Sequence, residues 1–274
     1  RVKLYKPAEN LVYGLKSIDS RIEIIQAHIF TPYYGIFGNH SRFRNLKEAL
    51  GDSVSLIYAV ESGLSADPFM IRSISGLNDN TVISNSDSHS TSYHRLGREA
   101  NQIYLNKLDF QNLIDSIRNN KIIKTYEFKS SAGKYYYDGH RKERHRNNKD
   151  YFCSPKLKRE SCPFCGKELT RGVLSQVYKL CDQKVPNKLN FQYIVPLLHL
   201  ISKVFGGTEY TKQNILMYEN LIANNGGEYN IWEGKNNFEG IPEVLIEKIQ
   251  KIRDGDFWFI PGHDANYGKL QFNG

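Results

Sequence analysis

Apolar residues along this chain fall into two kinds of run. Short, near-continuous stretches from Ile22 to Ile29, Val54 to Val60 and Thr81 to Ile83 read as buried strands, being brief, rich in β-branched residues and bounded by polar or turn residues. Between them lie helix patterns, Phe43 to Leu50, closed by Gly51, and Pro68 to Leu77. Such strands alternating with helices predict an α/β fold whose parallel strands are covered on both faces. Further on, Asp109 reads as the N-cap of a helix from Phe110 to Asn119, and Ile122 to Phe128 and Lys134 to Tyr137 read as strands. Helices are expected over Val173 to Asp182, Pro196 to Phe205, Lys212 to Asn224 and Glu243 to Asp254, the last three stopped by glycines. The tail from Phe257 to Leu270 alternates turns with aromatics, and Arg1 to Ser20 carries no clear entry signal. No internal repeat or low-complexity segment breaks the pattern.

The strand ends carry the candidate chemistry. His28 stands near the end of the first strand, Glu61 follows the second, and the third runs into Ser84-Asn85-Ser86-Asp87-Ser88-His89-Ser90. In α/β folds, polar residues at strand C-termini build the active site. Residues two apart in an extended segment point the same way, so Asp87 and His89 would present a carboxylate and an imidazole to one point. That pairing suits a divalent metal that activates water. The plainer readings are a polar turn for Asp87 to His89 and a satisfied structural histidine for His28. Three successive strands ending in ligand-type residues favour the metal.

The four cysteines are Cys153, Cys162, Cys165 and Cys181. Cys162-Pro163-Phe164-Cys165-Gly166-Lys167 is a zinc-knuckle sequence, in which the Cys-x-x-Cys spacing gives adjacent tetrahedral corners and Gly166 lets the turn close. A redox pair would want a helix directly after the first cysteine, and Gly166 argues against one. Cys153 is near enough in sequence to be the third ligand. The fourth is His140 or His145, with His140 preferred because Asp138-Gly139-His140 reads as a turn that would present the ring. Cys181 falls in an apparent helix and reads as a small buried residue.

Composition limits the function classes. The chain has 274 residues, 40% of them hydrophobic, with a mean hydropathy of −0.53, which fits a globular protein of one large domain or two medium ones. No apolar run reaches the roughly 18 residues of a membrane span, and no basic-then-apolar leader opens the chain, so a cytoplasmic location is expected. Net charge is +8. It concentrates from Arg141 to Glu160, with eight Lys/Arg against three Asp/Glu. A charge run is often only a solvated face. Beside a zinc knuckle, and just after Tyr135-Tyr136-Tyr137, it points to a polyanion-binding module in which aromatics stack on bases. The alternative for these tyrosines is packing within a strand.

Several separated stretches resemble endonuclease Q, a DNA-repair nuclease family built on the polymerase-and-histidinol-phosphatase (PHP) metallohydrolase fold. They are Ala27 to Tyr34 with Phe37-Gly38, Glu61 to Pro68, Ser84 to Ser90, Leu96 to Asn101, Gly133 to Arg141, Cys162 to Val173 and Pro261 to Lys269. The resemblance runs from about Ile24 to Leu270. It implies a partial PHP-type distorted β/α barrel over 1–130, a small basic zinc-binding module over 131–172 and a helical C-terminal region with an aromatic tail over 173–274. It further implies cleavage of DNA 5′ of deaminated bases (uracil, hypoxanthine, xanthine) or abasic sites, by catalytic Asp87 and His89 in a Zn, Mn or Mg cluster that also uses His28. Structural zinc would be held by His140, Cys153, Cys162 and Cys165. Phe30, Tyr33, Tyr34, Arg98 and Asn101 would line a pocket for an extruded nucleotide, and Arg141, Arg144 and Arg146 would meet phosphates. The family's N-terminal His-x-His strand, second histidine loop and later glutamate have no counterpart before His28, so the expectation is either a piece of a longer protein or a relative with a reduced cluster. His263 stands where a tyrosine is expected. The competing functions are a DNA-binding relative without catalysis and a small-molecule phosphoesterase of the same fold.

Overall fold

A computed structural model describes residues 6–92, 95–234 and 237–273. Arg1 to Tyr5 of the opening segment and Tyr93-His94 lie outside them.

The opening segment forms a helix, α1 (Ala8–Ile18), with Val12 buried. Its Glu9 carboxylate accepts the amide of Asp52 at 2.8 Å. That contact pins a 3-10 turn at Gly51–Leu56, which occupies the start of the expected strand from Val54. Only β1 (Ala59–Glu61) remains extended there. The helix before it, α2 (Leu46–Leu50), starts later than Phe43 because Asn45 is its N-cap: Asn45 Oδ1 accepts Glu48 N, and the Glu48 carboxylate accepts from Arg44 N and Asn45 Nδ2. The helix expected over Pro68 to Leu77 is α3 (Pro68–Arg72), capped by Asp67, followed by a 3-10 turn at Ser75–Leu77.

β1 pairs in parallel with β2 (Thr81–Ile83), both fully buried. The Ile22 to Ile29 run joins them as a single parallel bridge, Gln26 to Val60, with Ile29 N also donating to Glu61 O, and its Ile24 and Ile29 side chains pack in the core. The parallel order is therefore as expected, with one strand reduced to a bridge. A second sheet is mixed: β3 (Ala100–Ile103) lies antiparallel to β4 (Ile122–Phe128), which lies parallel to β7 (Phe191–Ile194). Asp109 caps α4 (Phe110–Arg118) by accepting Asn112 N. Ser84 Oγ, just past β2, reaches Tyr126 O of β4 at 3.4 Å, which sets the two sheets edge to edge.

Lys134 to Tyr137 is a turn rather than a strand, since the amides of Tyr136 and Tyr137 both go to Gly262 O. The strand comes one residue later, as β5 (Asp138–His140), antiparallel to β6 (Tyr151–Cys153). Asp138-Gly139-His140 is thus a strand and not a turn. Then follow α5 (Val173–Leu180), α6 (Leu197–Phe205), α7 (Lys212–Asn225), α8 (Glu228–Trp232), α9 (Glu243–Arg253) and the hairpin β8 (Phe257–Ile260) with β9 (Lys269–Phe272). Cys181 is the C-cap of α5 and is exposed, not buried.

Two large apolar cores result. One gathers Phe30, Phe37, Leu50, Val60 and Ile71 with Val173 and Val177 of α5. The other gathers Tyr126, Ile194, Leu200, Trp232, Ile249 and Phe257. The first core draws in α5 from beyond residue 172, and the second draws in β4 from before residue 130. A third core, around Cys153, Cys162 and Leu169, is very small.

Candidate functional site

Two candidate sites stand apart. The first lies at the ends of β1 and β2. Glu61 Oε2 accepts the backbone N–H of His28 at 2.7 Å, and its Oε1 accepts from Asn85 Nδ2 at 2.7 Å. His28 has a left-handed backbone, φ 33°, and its Cβ lies where a Cβ on Gly63 would approach to 2.6 Å. Its Nδ1 is buried and makes no hydrogen bond, which leaves a ring nitrogen available as a ligand. Asp87 also has a left-handed backbone, φ 45°, so the extended geometry that would aim Asp87 and His89 at one point is broken. His89 instead turns back, its Nδ1 2.9 Å from Asp87 O and 3.9 Å from the Asp87 carboxylate, with its side chain exposed. Among the described residues, His28, Asp87 and His89 do not form a cluster of three converging donors. They fit an edge of a metal centre rather than a whole one.

Behind this edge is a layer of acids that sequence reading missed. Ser84 Oγ is 2.9 Å from Glu99 Oε2 and 3.2 Å from Glu127 Oε2. Glu127 also accepts from Ser62 Oγ and Thr125 Oγ1, and Glu99 accepts Phe128 N. Both carboxyls are buried, at 2% and 0% exposure, and among the described residues neither forms a salt bridge. Burial pushes the Glu99 pKa up to about 8. Burial, reinforced by Glu99, pushes that of Glu127 well up too. Burial thus disfavours the charged form of both carboxyls.

A cavity of about 370 Å³ opens beside this edge, lined by Leu64, Arg95, Arg98, Lys129, His199 and Tyr267 among others. Arg98 donates from Nε to Ser86 O, so it belongs to this cavity and to the Asp87 turn at once. Arg95 is ion-paired with Glu209. The other expected pocket residues divide. Tyr33 and Tyr34 are exposed, and Tyr33 stacks on His40 at 4.7 Å. Phe30 is 1% exposed and packs on Phe37, so it is a core residue and cannot meet a ligand. Asn101 lies on β3, where its carboxamide accepts from Ser84 N and donates to Ser84 O, so it braces the backbone of the turn.

The second site is the knuckle. Cys162 N donates to Lys167 O and Gly166 N to Cys162 O, closing a turn in which Gly166 takes φ 70°. Phe164 N points at Cys162 Sγ, 3.4 Å away. Strand β5 presents His140, whose Nδ1 is 3.5 Å from Cys165 Sγ, and the turn after it presents His145, whose Nε2 is 3.1 Å from Cys162 Sγ. The four ligand atoms lie within 4.8 Å of one another, the spacing a tetrahedral ion needs. The remote ring nitrogens are fixed by backbone carbonyls: His140 Nε2 on Glu168 O, and His145 Nδ1 on Lys149 O. Such second contacts orient the rings and leave the inner nitrogens free for metal. The donor set that converges is therefore His140, His145, Cys162 and Cys165. Cys153, paired on β6 opposite Asp138, packs in the same small core as Cys162 but is not one of the four residues whose ligand atoms converge. His145, the alternative considered for the fourth position, is a member.

Around the knuckle, Arg144 is paired with the buried Asp264 at 2.7 Å and Arg141 lies 3.8 Å from Glu143, while Arg146 is exposed. Asp264 accepts also from Arg141 N and Thr170 Oγ1. His263 stacks on Phe152 at 4.5 Å, keeping an aromatic role.

The fold and sites define a mixed α/β protein with a strand-end polar edge and a His/Cys group that could hold a metal ion. No protein-family model matches the chain. In structure it is similar to the lesion-specific endonuclease Q of Pyrococcus furiosus, with a TM-score of 0.83 and 27% identity over 98% of this chain and 66% of that one. It is likewise similar to an endonuclease Q bound to a 27-mer duplex with an abasic lesion at the active site, with a TM-score of 0.81 and 26% identity over 100% of this chain and 68% of that one. It resembles endonuclease Q, then, across essentially its whole length. In sequence it is 33% identical to an uncharacterized protein of Methanocaldococcus jannaschii and 33% identical to uncharacterized protein YqxK of Bacillus subtilis. It spans 34% of the length of the first and 60% of the second.

Proposed function

We propose that this chain serves a metal-dependent DNA-repair endonuclease that cuts 5′ of deaminated bases (uracil, hypoxanthine, xanthine) or abasic sites. The observation that carries this reading is the structural likeness to lesion-specific endonuclease Q over 98% of the chain. On this reading residues 1–130 are the C-terminal part of a PHP-type distorted barrel, 131–172 the zinc module and 173–274 the helical region with its tail.

His140, His145, Cys162 and Cys165 would hold a structural zinc, whose bonds replace the apolar burial that the module's small core lacks. His28, Asp87 and His89 would contribute ligands to a Zn, Mn or Mg centre, and such a centre supplies a Lewis acid and an activated water. Because these three do not converge on their own, no catalytic step is derived through them. The chain's remaining work is positional. Glu61 fixes the backbone of His28, Asn101 and Arg98 hold the turn that bears Asp87, and the cavity beside Arg98 would receive the extruded nucleotide, with Tyr33 and Tyr34 exposed for stacking. A non-catalytic DNA-binding role is the second reading, favoured by the exposure of Asp87 and His89.

The test is a nicking assay on abasic, uracil and hypoxanthine duplexes with Mn²⁺ or Mg²⁺, for this chain and for a form lengthened upstream by a His-x-His strand. The chain alone is expected to nick weakly or not at all. The lengthened form is expected to cut 5′ of the lesion, and Asp87→Asn in it to abolish cutting while DNA binding persists. An Asn variant as fast as its parent would refute the ligand assignment. Hydrolysis of small phosphate esters with indifference to lesion DNA would put a phosphoesterase in its place.

A further inference from the structure

The positive charge of the zinc module is not carried by the arginines alone. Of the arginines at 141, 144 and 146, Arg144 is neutralised by Asp264, Arg141 faces Glu143 and Arg146 is exposed. A further group of cations surrounds an open groove of about 880 Å³ between the 3-10 turn Pro155–Leu157 and α5. Lys156 and Lys158 come from the turn and Lys179 from the helix, and Arg171 stands between them. None of the three lysines is ion-paired among the described residues, and all are exposed. Arg171 is held to Asp138, and Glu160 is the one carboxylate on the rim. Tyr178, exposed at 39%, lies beside Lys156, 6.0 Å from ring centre to Nζ.

Lys158 adds a second, independent observation. It adopts a left-handed backbone, φ 50°, at the C-cap of the turn, a conformation that favours glycine and strains a long side chain's backbone. A lysine at this position is disfavoured locally. It does put a cation at the groove's edge, and strain of this kind collects at functional positions.

We propose that this groove seats the phosphate backbone of duplex DNA, with Lys156, Lys158 and Lys179 as the contacting charges. The proposal rests on the nucleic-acid reading above and moves the phosphate contacts from the arginines to these lysines. Three lysines on flexible stems act as point charges suited to successive phosphates. An arginine already bonded to a buried carboxylate adds little, because its charge is matched within the fold.

The experiment compares the full chain with the triple variant Lys156→Gln, Lys158→Gln, Lys179→Gln. Zinc content and melting temperature are measured alongside duplex DNA affinity across salt. Each lost phosphate contact should lower the slope of log K against log salt by about 0.9. The triple variant should therefore lose about 2.7 from the slope, so that its affinity drops about forty-fold less than the parent's between about 50 and about 200 mM salt. Lys158→Gly separates contact from folding. Glycine relieves the left-handed backbone, so the melting temperature should hold or rise while the slope falls by about 0.9. A folded, zinc-loaded triple variant with the parental slope overturns the groove and leaves the nuclease reading intact. A parent that does not bind duplex DNA at all overturns both. Loss of binding to polyglutamate but not to DNA would assign the groove to an acidic polypeptide and overturn the proposal.

Discussion

Replacing Glu99 by glutamine should make the metal-free protein more stable at neutral pH, although the residue accepts hydrogen bonds from Ser84 and Phe128 at a strand junction. A carboxyl whose pKa is raised on folding, from 4.5 to about 8, resists ionisation in the folded chain while the unfolded chain ionises freely. Below about pH 4.5 both states are protonated and Glu99 contributes no pH dependence. As pH rises to about 8 the unfolded state is progressively favoured, and above that the loss is complete. A rise from 4.5 to about 8 corresponds to a ceiling of about 5 kcal/mol. Glutamine keeps an oxygen for Phe128 N and an N–H for Ser84 Oγ, and it removes the ionisation. It also removes the like charge that helps raise Glu127, so part of the gain arises there. The assay is urea unfolding of chelator-treated protein at intervals from pH 5 to pH 9. The parent's free energy of unfolding should fall through this window, and the Glu99→Gln line should fall less and lie above it by a few kcal/mol at the alkaline end. Parallel lines would refute the raised Glu99 pKa.

Cys162→Ser or Cys165→Ser should release about one equivalent of zinc, read by metal analysis, and open residues 139–173 to rapid hydrogen exchange; chelator-free protein without zinc would refute the site. Cys153→Ser should leave zinc content near one equivalent, since its thiol stands outside the converging set. Phe30→Ala should cost about 3–5 kcal/mol by denaturant unfolding, as expected for an emptied core position. Gly63→Ala should be destabilised by at least about 1–2 kcal/mol through its positive φ alone, and the methyl should displace His28, seen as a shift of that ring's NMR resonances.

Local pattern sufficed where an element is decided locally. β2, β4 and α4 lie where the hydrophobic runs and the Asp109 cap place them, and α6, α7 and α9 end at the glycines that mark them. What failed depended on partners distant in sequence. Val54 to Leu56 has strand-forming residues but is held in a 3-10 turn near a glutamate from α1. Glu99 and Glu127 read as ordinary charged residues, and only the register of β3 on β4 brings both to Ser84. At the knuckle, Cys162 and Cys165 were legible from spacing. Cys153 was expected as the third ligand and His140 or His145 as the fourth; that both histidines converge while Cys153 does not depends on how the turn after β5 folds back over the knuckle. Asp87 and His89 were legible as residues, but their backbone was not.

The loop between β8 and β9 touches two places at once. At one end Asp264 is bonded to Arg141, Arg144 and Thr170 of the metal module. At the other, Tyr267 and Gly268 form part of the wall of the cavity beside Arg98. Just after β8, Gly262 sits so close to Gly133 that even a methyl group would strike its carbonyl oxygen. Any coupling between filling the cavity and loading the module with metal would run through this segment and would have to be reciprocal. A molecule that settles into the cavity more readily when the module is loaded must, by the same factor, make the module hold its metal more tightly, so a chelator's grip becomes a gauge of cavity occupancy.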